Sequence, residues 1–190
     1  MNGMTRVYIG IKACTIGSLP IFWSLEFVNL KSKVLLMGYN VRTAELDDVE
    51  RMQELSVKLS EWEEEEFDST IDPDWNTTEE ATEWFEQRVY EGFAYVAVDE
   101  EIVGYLIGAV NGSEEYRDDL TVAELESMYL HPDYRGRGIG TELAEKFQQD
   151  AEEKGADRLR VEVTADNQNG REFYKALGLT DYAVTMEKEL

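Results

Sequence analysis

The chain has 190 residues, and 18 Lys and Arg against 41 Asp and Glu give a formal net charge of −23. That length suits one ordinary domain, and a hydrophobic share of 43% with 11% aromatics is enough to bury a core, which excludes wholesale disorder. The acidity opposes non-specific binding to nucleic acid or to an anionic membrane surface, because both repel it, so neither is an expected partner.

One cysteine, Cys14, excludes an intramolecular disulfide and a Cys-rich zinc site, and one histidine, His131, excludes sites that need two His ligands. No metal is expected. Lys is scarce, with 8 residues. Sparse Lys among dense acids is common in proteins adapted to high salt, where screening removes the self-repulsion. An ordinary acidic cytoplasmic protein is the alternative, and a cytoplasmic location is expected.

The first 36 residues carry Arg6, Lys12, Lys31 and Lys33 against Glu26, a net +3, which leaves −26 for residues 37–190. The uncharged run Ala13–Leu25 is broken by Pro20 and stopped by Glu26. It is too short to span a bilayer, and no small-x-small cleavage site follows it. Three readings stay open for residues 1–36: a start-site artefact with Met37 as the working start, an extension that packs on the domain, and targeting or membrane contact. The expected domain is 37–190.

From there the elements alternate. Tyr39–Arg42 reads as a first strand. Asp47 to about Glu63 reads as a helix, with Val49, Met52, Leu55, Val57 and Leu59 near helical spacing, its end dissolving into the acidic run Glu61–Glu66. Ser69–Asn76 reads as a loop, and Thr77-Thr78-Glu79-Glu80 opens a second helix with hydroxyl caps and acids in the first turn. Phe93–Val98 and Ile102–Val110 read as a hairpin, Asn111–Asp119 as a polar loop and Thr121–Leu130 as a long strand. Gly138–Lys154 reads as a helix ended by Gly155, Leu159–Thr164 as a strand, Asn167–Leu177 as a helix ended by Gly178, and Tyr182–Glu187 as a final strand. The fold class is α/β, with a central mixed sheet flanked by helices.

The stretch from Ala123 to Thr141 runs from a strand through the turn His131-Pro132 and a glycine-rich loop into a helix. Free N–H groups at a helix start and the positive end of its dipole make an anion site. Gly136, Gly138 and Gly140 let backbone approach a phosphate, and Arg135 and Arg137 concentrate positive charge in an acidic body. A phosphate-bearing ligand follows. No Lys completes a Walker loop, and a Rossmann spacing would need glycine at 141 or 143, where Thr141 and Leu143 stand.

Arg135-x-x-Gly138-x-Gly140 resembles the pyrophosphate loop of the GNAT superfamily of acyl-CoA-dependent N-acetyltransferases. About thirty residues on, Asn167-x-x-Gly170-x-x-Phe173-Tyr174-x-x-Leu177-Gly178-Leu179 resembles that superfamily's second signature, with Gly170 where Ala is commoner and Leu179 where Phe is commoner. The opening Tyr39–Ala44 followed by Asp47-Asp48 is similar to its first strand and helix, so the likeness covers about residues 38 to 190.

The resemblance implies a GNAT-like fold and an N-acetyltransferase that uses acetyl-CoA, with coenzyme A as co-substrate. It implies that Arg135, Gly136, Arg137, Gly138, Ile139, Gly140 and Thr141 wrap the pyrophosphate. Met128, Tyr129 and Leu130 would bind the pantetheine arm as an added strand, where the family splays this strand from the next at a bulge. Tyr174 would protonate the leaving thiolate as general acid. Asn167 would bond the cofactor, cap its helix, or both.

An attacking ammonium must first lose a proton, and a carboxylate, acting directly or through a water, is the usual acceptor of it. Glu124 and Glu126, two apart on one strand, point to the same face and are the candidates, with Glu124 preferred. His131 reads as a turn residue rather than a catalyst. The acids at 61–66 and the loop 68–75 lie where the family builds its acceptor site. A cationic amine suits that charge, whether a small molecule or a protein; a solvated acidic surface is the competing reading. Dimers are common in the family, and a homodimer is compatible with the sequence. The alternative function is a non-catalytic acyl-CoA-binding or regulatory domain.

Overall fold

The computed structural model describes residues 38–112 and 120–188. The expected boundary at 36 and 37, the N-terminal extension and most of the loop 111–119 lie outside the described residues. Five strands form one sheet: β1 (Asn40–Thr43), β2 (Ala94–Asp99), β3 (Glu101–Asn111), β4 (Val122–Leu130) and β5 (Arg158–Val161), adjacent in that order. Neighbours from β1 to β4 are antiparallel, and β4 and β5 are parallel. Among the described residues four helices flank the sheet: α1 (Val49–Glu66), α2 (Glu79–Glu91), α3 (Ile139–Glu153) and α4 (Gln168–Ala176).

The two-residue period of the strands sorts their side chains into two layers. Ala94 and Val96 of β2 join Met52, Leu55 and Phe85 from α1 and α2. Tyr95 and Ala97, one residue out of phase, join Leu143 and Phe147 from α3 on the other face. Each helix start has a local cause. Arg42 holds Asp48 through two bonds of 2.6 and 2.8 Å at the entry to α1, which keeps that carboxyl below its usual range. The Thr78 hydroxyl accepts from the Ala81 N–H at the start of α2, with Glu79 and Glu80 in the first turn.

Three sequence expectations are corrected. Helix α1 does not dissolve at Glu63 but runs to Glu66; Glu is a good helix former, and Trp62 stacks edge-on against Phe67 at 4.9 Å. Strand β5 ends at Val161, not Thr164. Tyr182–Glu187 is not a strand: its residues are exposed and belong to no ladder of the sheet. Alternating apolar residues make a strand only when they pair with an edge, and Tyr182–Glu187 pairs with none in the sheet of the described residues.

The β3–β4 ladder breaks at one place. Ile107 pairs with Ser127 but Gly108 pairs with Leu125, so Glu126 has no residue opposite it and forms a bulge. Gly108 is required there by space. A side-chain carbon on it would lie 2.5 Å from the Glu124 carbonyl oxygen and 2.5 Å from the Phe147 ring. We therefore expect Gly108→Ala to destabilise the fold by about 1–3 kcal/mol, the usual cost of overpacking, as a lower midpoint in urea unfolding followed by circular dichroism.

Candidate functional site

The bulge at Glu126 coincides with the end of the parallel ladder. Strand β5 pairs with Val122 to Leu125 of β4 and no further. Beyond that point β4 is bonded to β3 alone, and a cleft opens between the two strands. Met128, Tyr129 and Leu130 line it from β4, and Asn167, Phe173 and Tyr174 line it from the α4 side. A strand edge left unpaired presents its N–H and C=O groups to whatever enters.

The glycine-rich loop sits at the end of this strand. His131 closes the turn Pro132–Tyr134 by accepting the Asp133 N–H on its Nδ1, in line with a turn role. Gly136 and Gly138 take φ values of 73° and 84°, a left-handed geometry that glycine adopts without steric cost. Gly138 opens α3 with no side-chain cap, so the N–H groups of Ile139, Gly140 and Thr141 remain for a ligand. Ile139 is fully buried and anchors the helix start.

Arg135 donates from Nε to the Leu130 carbonyl at 2.9 Å, which ties the loop back to β4. Arg137 lies over the Tyr134 ring at 5.1 Å. Neither guanidinium has a carboxylate partner among the described residues. In a chain of net charge −23, two unpaired cations beside open helix N–H groups form an anion cradle.

Helix α4 forms the facing wall. The Asn167 side chain accepts the Gly170 N–H at 2.9 Å and caps it. A side-chain carbon on Gly170 would lie 2.9–3.1 Å from that cap, which gives a local reason for glycine at this position. Tyr174 packs edge-on to Phe173 at 5.0 Å. Burial, and secondarily the charge of Glu63, push its pKa up to about 12, so the phenol keeps its proton at neutral pH.

The two carboxylates of β4 are placed differently. Ala123 and Leu125 point into the α3 layer, so Glu124 between them faces α1 and α2, half-buried. Glu126, at the bulge, reaches the same side and is held by Arg88 of α2 through two bonds of 2.5 and 2.7 Å. Beside them, the buried Tyr105 hydroxyl meets Ser127 at 2.7 Å. Ser56 donates to Asn76, whose amide donates to Ser60, which ties the turn Pro73–Thr77 to α1.

Sequence comparison bears on what such a cleft is for. The profile of the acetyltransferase (GNAT) family matches residues 56–179. The chain belongs to this family. An uncharacterised N-acetyltransferase of Methanocaldococcus jannaschii is 29% identical over 180 residues, covering 92% of this chain and 76% of the relative. Thialysine N-epsilon-acetyltransferase of Bos taurus is 42% identical over 57 residues, covering 30% of this chain and 34% of that protein.

Among solved structures, a mutant Bacillus halodurans protein matches with a TM-score of 0.68 at 20% identity, covering 80% of this chain and 99% of that one. The aminoglycoside N-acetyltransferase AAC(6')-Iy in complex with CoA matches at 0.63 and 16% identity, covering 80% of this chain and 94% of that one. The fold is a GNAT fold, and the protein is an acyltransferase enzyme of the N-acetyltransferase class. No helix among the described residues is long and apolar enough to cross a membrane.

Sequence reasoning missed Ser127 and Asn76, which line the cleft, and Arg88 and Tyr105, which bond to lining residues; Glu63 lay in the acidic run it placed there but was not singled out. Arg88 had a usable signal, as a cation on an otherwise acidic helix. Tyr105 and Asn76 had none, because their partners are distant in sequence. Replacing Arg88 with Met removes both bonds to Glu126 and leaves that carboxylate unpaired. We expect a loss of about 1–3 kcal/mol in denaturant titration, with Glu126→Gln restoring part of it in the double variant.

Proposed function

We propose that this enzyme moves an acetyl group from acetyl-CoA to a primary amine by direct attack, with both substrates bound together. The observation that carries the reading is the parting of β4 from β5 beside an uncapped, cation-flanked helix start. A long cofactor with an anionic middle and an extended amide arm fits both features. Arg135, Gly136, Arg137, Gly138, Ile139, Gly140 and Thr141 hold the pyrophosphate through N–H groups and charge. Met128, Tyr129 and Leu130 bond the arm as an added strand. Asn167 keeps its role as helix cap and faces the same arm.

Acetyl-CoA supplies an activated acyl group, and the chain's own residues handle protons and charge. A β4 N–H in the cleft polarises the thioester carbonyl as an oxyanion donor. Tyr174, protonated at neutral pH, gives its proton to the departing sulfur. Of the two β4 carboxylates, Glu126 is engaged by Arg88, so Glu124 is the one that takes a proton from the amine during attack. Cys14 lies outside the described residues, and no covalent acyl-enzyme is invoked.

The acceptor is a cationic amine. The wall on the α1 side combines Asp68 and Asp72 with Trp75 and Trp84, and acids with aromatic faces suit an ammonium group. The Bos taurus relative is named for acetylating an ε-amine, which supports this class.

Thiol release from acetyl-CoA against spermidine, lysine and kanamycin, at low and at molar salt, tests the reading. We expect release with at least one amine, and a drop of about 10²–10⁴-fold in kcat for Tyr174→Phe, with coenzyme A affinity by calorimetry retained. Coenzyme A binding without release from any amine would favour a binding domain instead. Absence of binding in both salts would overturn the proposal.

A further inference from the structure

Helix α1 carries a core-facing stripe of Met52, Leu55, Ser56 and Leu59. Helical spacing continues that stripe to Glu63, four residues on from Leu59. The other acids of the run, Glu61, Glu64, Glu65 and Glu66, are exposed, whereas Glu63 is half-buried. A carboxylate thus occupies a position where the helix pattern calls for an apolar side chain. It has no hydrogen bond or ion pair among the described residues. Burial alone raises its pKa above the ordinary glutamate range.

What Glu63 faces is decided by the gap in the sheet. Tyr174 packs with the α3 layer, and Glu63 lies on α1 in the opposite layer. An unbroken sheet would keep them apart. Because β4 and β5 part, both line one cleft, and the Glu63 charge reaches the Tyr174 phenol as well as Tyr105. Titratable groups that share this cleft include Asp68 and Asp72 beyond α1, Glu124, Glu126 and Tyr129 on β4, Arg135 at its end, and Arg160, Glu162, Arg171 and Lys175 on the β5 and α4 side, with Arg88 of α2 bonded to Glu126.

We propose that Glu63 is a catalytic base that takes the first proton from the acceptor ammonium and hands it on through Tyr174. This deepens, and rests on, the acetyl transfer proposed above. The ammonium gives one proton to the Glu63 carboxylate and becomes a free amine. Its nitrogen attacks the thioester carbon, a carbon–nitrogen bond forms, and the attacking nitrogen gives its second proton to Glu124, which releases it to solvent. As the carbon–sulfur bond breaks, Tyr174 protonates the sulfur and recovers its own proton from Glu63. Both enzyme groups return to their starting state, one proton leaves on the thiol and one enters solution.

The test is thiol release from acetyl-CoA by wild type, Glu63→Gln and Glu63→Asp with spermidine, lysine and kanamycin, from about pH 6 to about pH 10. For Glu63→Gln we expect kcat to fall about a hundredfold or more at neutral pH with coenzyme A affinity unchanged. The deficit should shrink as pH approaches the amine pKa, because solution then supplies free amine. Glu63→Asp should keep part of the rate.

A thermal melt separates a merely structural role. A carboxyl whose pKa rises on folding favours the folded state less as pH climbs through that pKa, so at neutral pH the unpaired charge works against folding. Glu63→Gln should therefore melt no lower than wild type. A variant equal to wild type across pH overturns the proposal, as does a pH-independent loss with a lowered melting temperature. Wild type that binds coenzyme A and releases no thiol from any amine overturns the transfer reading, and the Glu63 step with it.

Discussion

One extra residue in β4 governs the working part of this molecule. At Glu126 the ladder to β3 skips a partner, and at the same place the ladder to β5 stops. A bulge bends its strand and sharpens the local twist, so β4 turns away from a neighbour to which it is still bonded one residue earlier. Everything placed at the site follows from that departure. The loop at Arg135–Gly138 hangs from the free end of β4, and α4 closes the far wall. The two side-chain layers, separate elsewhere, share a cleft. The bulge is tolerated because Gly108 leaves room for the Glu124 carbonyl and the Phe147 ring.

Charge is distributed with the same logic. The chain is strongly acidic as a whole, yet the loop beside the cleft holds two guanidinium groups free of carboxylates among the described residues. The proposed anionic cofactor and cationic amine match that distribution, with the guanidinium groups at the loop and Asp68 and Asp72 near the end of α1. Arg88 refines this pattern by pairing with Glu126 through two hydrogen bonds.

The site also departs from what stability alone would select. The buried Tyr105 and the half-buried Tyr174 are phenols pushed to about 12, and Glu63 is a half-buried carboxylate with no partner among the described residues. At neutral pH the Glu63 charge costs folding free energy that the packed layers around Phe85 and Phe147 offset, whereas both phenols stay protonated. Such groups concentrate where chemistry needs a proton held or moved.

Much of this was legible in the linear chain. Alternation and helical spacing located five strands and four helices because period and capping are local properties, set by residues such as Thr78, Gly138 and Asn167 that act on their immediate neighbours. The two GNAT signatures are also contiguous, so Arg135–Thr141 and Asn167–Leu179 could be read directly. The final strand at Tyr182–Glu187 could not be judged, because a strand exists only with a partner edge. Nor could the fates of Glu124, Glu126 and Glu63. By sequence they are three acids among 41. Only the folded chain pairs one with Arg88, 38 residues away, and leaves another unpaired across the gap from Tyr174. The sequence by itself determined the five strands, the four helices and the glycine-rich loop that joins β4 to α3 among the described residues. The tertiary structure decided which carboxylate meets which partner, because burial and pairing depend on contacts between segments that no local pattern encodes.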